Sequence, residues 1–125
     1  MSYKVLIVDD SKLARMSVTK LLRALQPDWS PIEAANAEEA VAALVGGRPD
    51  VVLVDFNMPG KDGLTLAAEI HATHPNVPVA VISANIQTEI VSRARAVGAT
   101  FLSKPLTEQA LGDFLSSAKA QLSSA

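Results

Sequence analysis

Short runs of β-branched residues alternate with helical segments along the chain, and this alternation constrains the fold more than any other sequence feature. Five strand-like runs and five helical patterns follow one another in strict order. Such an order favours parallel strands, because the chain returns along a helix before each new strand begins. Right-handed crossovers then place helices on both faces of one sheet. The sequence predicts an α/β protein with a doubly wound, five-stranded parallel sheet flanked by five helices.

Periodicity, caps and breakers set the expected boundaries. The predicted strands are residues 3–8, 32–35, 51–54, 79–82 and a short run around Phe101. The predicted helices begin near Ser11 and Asn36 and cover about 63–73, 88–97 and 107–122. The second helix is predicted to bury the apolar side chains of Ala37, Val41, Leu44 and Val45. Trp29 is expected to cover the core after the first helix.

Composition limits the classes of protein that this chain can be. Its 125 residues predict one domain over residues 1–125, and the formal net charge of −2 gives no support for direct nucleic-acid binding. The absence of cysteine excludes disulfides and thiolate metal sites. No apolar run approaches a membrane span and no signal-peptide pattern opens the chain. We therefore expect a cytoplasmic protein without membrane insertion.

Polar side chains follow four of the predicted strands at the point where each strand ends. Asp9 and Asp10 follow the first strand, and Asp55, Ser83 and Lys104 follow the third, fourth and fifth. Strands in an open parallel sheet share one carboxyl edge, where ligand sites form. With the strand order 2-1-3-4-5, the first and third strands are neighbours, so their three acids would converge. The sequence predicts three carboxylates, a hydroxyl and an ammonium at one edge.

These side-chain types suit a divalent cation and a phosphoryl group. Converging carboxylates repel one another, and oxygen-only ligands favour Mg²⁺. A carboxylate such as Asp55 can also act as a nucleophile and form an acyl phosphate. Lys104 and Ser83 are then candidates to contact phosphoryl oxygens. Taken singly, the plainer alternatives are a helix-capping Asp10, an ordinary strand-end Asp55, a solvated Lys104 and a backbone-bonded Ser83.

Other sequence motifs give weaker evidence of function. His71 and His74 have a spacing that can bind metal, but no third ligand is evident, and cations near a helix C-terminus are the better explanation. The chain has neither a dinucleotide-binding nor a P-loop glycine motif. Nucleotide-binding enzymes are therefore poor candidates.

At its strand ends the chain closely resembles the receiver domain of bacterial two-component response regulators, and the match spans essentially all of it. Four segments carry the resemblance: Val8-Asp9-Asp10-Ser11, Asp55-Phe56-Asn57-Met58-Pro59-Gly60-Lys61-Asp62-Gly63, Ser83-Ala84 and Lys104-Pro105. The resemblance implies a flavodoxin-like sheet of order 2-1-3-4-5. It is nearest to the single-domain chemotaxis-regulator type, since little sequence follows the fifth helix.

The resemblance also implies a role for individual residues. Asp55 would be the phosphoacceptor, and Mg²⁺ would be held by Asp9, Asp10, Asp55 and the backbone carbonyl of Asn57. Lys104 would pair with the phosphoryl group or, before phosphorylation, with Asp55. No turnover of external substrates is implied, only phosphotransfer onto the domain itself and autodephosphorylation.

Further implied roles concern switching. Ser83 would occupy the family's Ser/Thr switch position and Phe101 its aromatic one, while Pro105 would follow a cis peptide bond. Asn57 and Asn85 would occupy two variable positions that tune hydrolysis of the phosphorylated form. The donor would be a histidine kinase or a phosphotransfer protein, and an unknown output protein would bind the face formed by helix four, strand five and helix five.

One departure and three alternatives accompany the resemblance. The segment Gly98-Ala99-Thr100-Phe101 is one residue shorter than usual in this family and lacks the acidic pair of receivers fused to winged-helix domains, which argues against their mode of dimerisation. The first alternative is a phosphatase with an Asp nucleophile, although its expected second acid is replaced by Asn57. The others are a receiver cut from a larger regulator and a degenerate receiver that works without phosphorylation.

Overall fold

The computed structural model describes residues 2–123, which form one parallel sheet and five helices. The strands are β1 (Lys4–Val8), β2 (Ser30–Ala34), β3 (Val51–Asp55), β4 (Val79–Ser83) and β5 (Thr100–Ser103). The helices are α1 (Lys12–Leu25), α2 (Ala37–Gly46), α3 (Gly63–Thr73), α4 (Thr88–Ala96) and α5 (Glu108–Ser123). The sheet order β2-β1-β3-β4-β5 confirms the predicted doubly wound fold.

Helices cover both faces of the sheet, so the central strands are buried on both sides. Successive side chains of a strand point to opposite faces, and two separate apolar clusters result. Leu6, Val8, Val52 and Val54 pack with residues of α2, α3 and α4, whereas Val5, Ile7, Val51 and Leu53 pack with residues of α1 and α5. The continuous apolar runs of residues 5–8 in β1 and 51–54 in β3 fit this arrangement, because parallel strands covered on both faces are apolar on both sides.

Strand β2 begins two residues earlier than predicted, because an edge strand tolerates Pro31. The Ser30 N–H donates to the Tyr3 carbonyl over 2.9 Å, and Pro31 is in register with Val5. Alternate N–H groups of a parallel strand point to the same neighbour, so the missing N–H of Pro31 lies on the open side. Trp29, just before the strand, is buried edge-on against Tyr3 with ring centroids 5.0 Å apart.

The predicted buried stripe of α2 is partly wrong. Ala40 and Leu44 face the core, while Val41 and Val45 are 47% and 73% exposed. The apolar side chains of this helix run around most of its circumference, so spacing alone does not select the buried face. The small side chain of Ala40 lets the helix approach the sheet closely, and that packing turns the two valines toward solvent.

The strand ends differ from expectation in a way that matters for the site. β3 and β4 each extend one residue further than predicted and include Asp55 and Ser83, so both polar residues lie on regular, hydrogen-bonded backbone. Helix α4 ends one residue earlier than predicted, at Ala96. Within the described part of the chain, no helix is long and apolar enough to cross a membrane.

Candidate functional site

Three carboxylates converge at the carboxyl edge of the sheet, as the strand order predicts. Asp9 and Asp10 follow β1, and Asp55 ends the neighbouring β3, where Val8 is in register with Val54. One carboxylate oxygen from each acid lies within 4.8 Å of the others. Asp9 and Asp55 are buried and Asp10 is exposed. Among residues 2–123 no other group of three or more potential metal-ligating acids, histidines or cysteines comes together.

Lys104 brings a positive charge to this cluster from the end of β5. Its Nζ lies 2.6 Å from Asp55 Oδ1, and its backbone N–H donates to the Ser83 carbonyl over 2.9 Å. The peptide bond between Lys104 and Pro105 is cis, as the family resemblance implied. The side-chain contact is an ion pair, and no other hydrogen-bond donor among the described residues reaches the buried Oδ1. Since a carboxylate oxygen has more than one lone pair, Oδ1 retains acceptor capacity beside the ammonium.

The environment of Asp9 disfavours its charged form. Burial raises the pKa of this carboxyl above its ordinary value, and the carboxylates of Asp55 and Asp10 act in the same direction. The Ser11 N–H, which donates to Asp9 Oδ1 over 2.9 Å, and the Lys104 ammonium oppose the shift in pKa. A divalent cation among the three acids would remove this electrostatic penalty.

The donor set fits Mg²⁺. It consists of oxygen atoms only, it includes a buried carboxylate whose Oδ1 has only the Lys104 ammonium as a neighbouring donor among the described residues, and its acids repel one another. The Asn57 carbonyl, two residues beyond Asp55, accepts no hydrogen bond from the residues that the structure describes. The side chains and this backbone group have the chemistry that a magnesium site requires.

Ser83 lies one strand away from Asp55, at the end of β4. It is 1% exposed, and its Oγ accepts a hydrogen bond from the Asn85 N–H over 3.0 Å. Asp55 is in register with Ile82, the residue before Ser83. Phe101 on β5 is half-buried and packs against the cluster that includes α4 side chains. The hydroxyl therefore sits beside the acids but is held by its own loop.

Gly63 packs directly against the backbone of Asp55. In the sequence it is the last residue of a matched segment, and the sequence alone assigns it no role. Its N–H donates to the Phe56 carbonyl over 2.9 Å, and Asp62 caps α3 at the same point by accepting from the Thr65 N–H. A Cβ atom on Gly63 would lie 2.3 Å from the Asp55 carbonyl oxygen and 2.8 Å from the Phe56 Cα. Only glycine allows α3 to begin this close to the end of β3.

The two histidines do not join the site. His74 Nδ1 lies 2.8 Å from Thr73 Oγ1, and the His71 ring lies against Gly98. Neither belongs to a group of three metal-ligating side chains in the described residues. Both histidines lie at the C-terminal end of α3, which agrees with the expectation that they are helix-end residues.

A doubly wound sheet with acids, an ammonium and a hydroxyl at its carboxyl edge defines a domain suited to a metal ion and a phosphoryl group. The chain belongs to the response regulator receiver domain family, whose model matches residues 5–116. The family is a signalling domain of two-component systems, and phosphoaspartate and Mg²⁺ are typical of it. The predicted resemblance is thereby confirmed.

Individual relatives agree with this assignment. The chain is 42% identical over 105 residues to a protein-glutamate methylesterase/protein-glutamine glutaminase of Rhodospirillum rubrum, covering 82% of this chain and 28% of that protein. It is 37% identical over 106 residues to the transcriptional regulatory protein PdtaR of Mycobacterium tuberculosis, covering 83% and 50%. The structure of the chemotaxis protein CheY4 of Vibrio cholerae is similar, with a TM-score of 0.84, 29% identity and coverage of 94% and 99%. The chain thus spans about a quarter to a half of the two matched sequence relatives.

Proposed function

We propose that this receiver domain accepts a phosphoryl group on Asp55 and thereby changes the surface it offers to a partner. The donor would be a phosphohistidine on a histidine kinase or phosphotransfer protein. A carboxylate oxygen of Asp55 forms the new P–O bond as the P–N bond breaks, and the electron pair leaves with the imidazole. Since such donors are phosphorylated from ATP, we place the exchange in the cytoplasm.

The observation that carries this proposal is the ion pair between the buried Asp55 carboxylate and Lys104, with a carboxylate oxygen of each of two further acids within 4.8 Å of Asp55. The Lys104 ammonium lies against one oxygen of this nucleophile and is close enough to follow a phosphoryl oxygen after transfer. Asp9, Asp10, Asp55 and the Asn57 carbonyl would hold Mg²⁺, which neutralises charge on phosphoryl oxygens when bound.

Signalling would follow from a second, neighbouring change. Ser83 Oγ accepts from the Asn85 N–H, and its O–H can still donate. A dianionic acyl phosphate is a strong acceptor, so Ser83 would move toward the phosphoryl group and donate this O–H to a phosphoryl oxygen. Phe101 would then move into the space that Ser83 leaves. The movement alters the face of α4, β5 and α5, where we propose that the output partner binds. Moving such an equilibrium from 1:99 to 99:1 requires about 5.5 kcal/mol of differential affinity.

The rival functions have weaker support. A phosphatase with an Asp nucleophile normally uses a second acid shortly after it, and Asn57 stands there. A degenerate receiver would not be expected to keep three acids and Lys104 in contact. The proposed phosphorylation works whether or not an output domain belongs to the same polypeptide.

Phosphoryl labelling tests the proposal directly. Incubation with acetyl phosphate and Mg²⁺ is expected to add one phosphoryl group to the protein, detected by intact-mass spectrometry and removed by hydroxylamine, which cleaves acyl phosphates. Chelation of Mg²⁺ by excess EDTA is expected to suppress labelling, because three acids without a cation repel the donor. Equal labelling with and without EDTA would contradict the metal assignment, and absence of labelling with Mg²⁺ and several phosphodonors would contradict the function.

Replacing Ser83 with Ala separates phosphorylation from switching. Ser83→Ala keeps the acids and Lys104, so we expect labelling to persist, slowed by about 10- to 150-fold for the loss of one hydrogen bond to a charged group, worth about 1.5–3 kcal/mol. The surface change is expected to be lost, as measured by amide chemical-shift changes in α4 and β5 upon phosphorylation. Wild-type shift changes in the labelled variant would exclude Ser83 from the switch, and Ser103→Ala, at an exposed strand position, is the control.

A further inference from the structure

Arg15 on α1 holds the backbone between the two acids of β1. Its Nη1 donates to the Asp9 carbonyl oxygen over 2.6 Å, and its Nε donates to Glu33 Oε1 over 2.9 Å. The guanidinium side chain is only 14% exposed, although α1 otherwise carries its charges in solvent. The Glu33 side chain is 47% exposed, so this ion pair is partly solvated, and it is the burial of the guanidinium against the Asp9 backbone that sets Arg15 apart from surface cations.

The Asp9 carbonyl belongs to the peptide unit that joins Asp9 to Asp10. The Asp9 N–H donates to the Ala34 carbonyl over 3.1 Å, and Asp9 Oδ1 accepts from the Ser11 N–H. With Arg15 on the carbonyl, every polar group of Asp9 except Oδ2 has a protein partner. The plane of this peptide is therefore fixed, and with it the direction in which the Asp10 side chain leaves the backbone.

We propose that Arg15, oriented by Glu33, is a positioning residue that sets the two acids for Mg²⁺. This inference rests on the proposed function, because it concerns the metal site of Asp9, Asp10 and Asp55. Arg15 is not itself a ligand, since it has no acceptor atom. Residues that hydrogen-bond to metal ligands orient those ligands. Arg15 would act in this way on the backbone that carries Asp9 and Asp10.

Loss of the Arg15 charge and loss of its positioning role would change the Mg²⁺ affinity in opposite directions, which makes the inference testable. Arg15 is a cation beside a cation site, so its charge alone weakens Mg²⁺ binding, and removing that charge would strengthen it. Loss of positioning weakens binding, typically by about 10- to 100-fold for outer-shell partners. A weaker magnesium site in Arg15→Met can therefore not arise from the lost charge.

The experiment measures the Mg²⁺ dissociation constant by titration calorimetry on the protein without any phosphodonor. We expect Arg15→Met to raise this constant by about tenfold or more. Arg15→Lys keeps the positive charge but loses the planar guanidinium that donates to both the Asp9 carbonyl and Glu33. It is therefore also expected to raise the Mg²⁺ dissociation constant. Arg23→Met is the matched control, because Arg23 lies on the exposed face of the same helix, and it is expected to leave the constant unchanged.

Glu33→Gln provides a second measurement if the Arg15 variants do not fold. Glutamine retains the shape of the side chain but removes the negative charge that pairs with Arg15. This variant is therefore expected to raise the Mg²⁺ dissociation constant by a smaller factor than the Arg15 variants. Thermal unfolding in EDTA checks that each variant is folded. Wild-type or tighter Mg²⁺ affinity in folded Arg15→Met would overturn the inference and leave the proposed function intact, as would wild-type affinity in Glu33→Gln if the Arg15 variants do not fold. A wild-type protein that does not bind Mg²⁺ would overturn both.

Discussion

Replacing Asp55 with Asn is expected to abolish labelling by acetyl phosphate in the presence of Mg²⁺. The amide has no anionic oxygen to attack phosphorus, and no other acid of the cluster has the direct Lys104 contact. The fold is expected to survive, because the lost ion pair and the relieved repulsion oppose each other and leave a net change of about 1 kcal/mol or less. Labelling is measured by intact mass, and unfolding by chemical denaturation.

Asp62→Asn is the matched control for this experiment. Asp62 lies seven residues further along the same loop and caps α3 through its side-chain oxygen, a role that Asn fulfils equally well. The same chemical change there is expected to leave both labelling and stability near wild type. Labelling of Asp55→Asn at the wild-type rate would place the phosphoacceptor on another residue and refute the assignment of Asp55.

The convergence of the acids was predictable because it follows from sheet geometry and from nothing else. A strict strand–helix order gives parallel strands, parallel strands share one carboxyl edge, and the order 2-1-3-4-5 makes β1 and β3 neighbours. Asp9, Asp10 and Asp55 then meet whatever the details of side-chain packing. Lys104 follows by the same rule from β5, and its contact with Asp55 needed only a long side chain.

The support of the site was not predictable, because it depends on packing between elements distant in sequence. Nothing in the sequence pairs Arg15 with Glu33, since α1 and β2 approach only once β2 joins β1. The misassigned face of α2 has a similar origin. Its apolar residues surround the helix, and the closeness of Ala40 to the sheet decides which of them are buried. Periodicity identifies an element, but not how closely it is packed.

Replacing Gly63 with Ala is expected to have the second large effect. The new methyl group would lie 2.3 Å from the Asp55 carbonyl oxygen and 2.8 Å from the Asp55 carbonyl carbon, and both are backbone atoms that cannot rotate away. Overpacking of this kind costs about 1–3 kcal/mol, and it opposes a gain of about 0.5–1 kcal/mol for alanine over glycine in a helix. We therefore expect a net loss of stability, measured by chemical denaturation.

Labelling is expected to fall as well, because the same clash would move the backbone of Asp55, the proposed phosphoacceptor. A displacement of about 1 Å at a reacting group can cost about 100-fold in rate. Gly46→Ala is the control: it lies in α2, no atom comes within 4 Å of its added Cβ, and alanine is expected to stabilise it by up to about 1 kcal/mol. If Gly63→Ala proved as stable and as rapidly labelled as Gly46→Ala, the close approach of α3 to Asp55 would not exist in solution, and Asp55 would be positioned by its ion pair and strand alone.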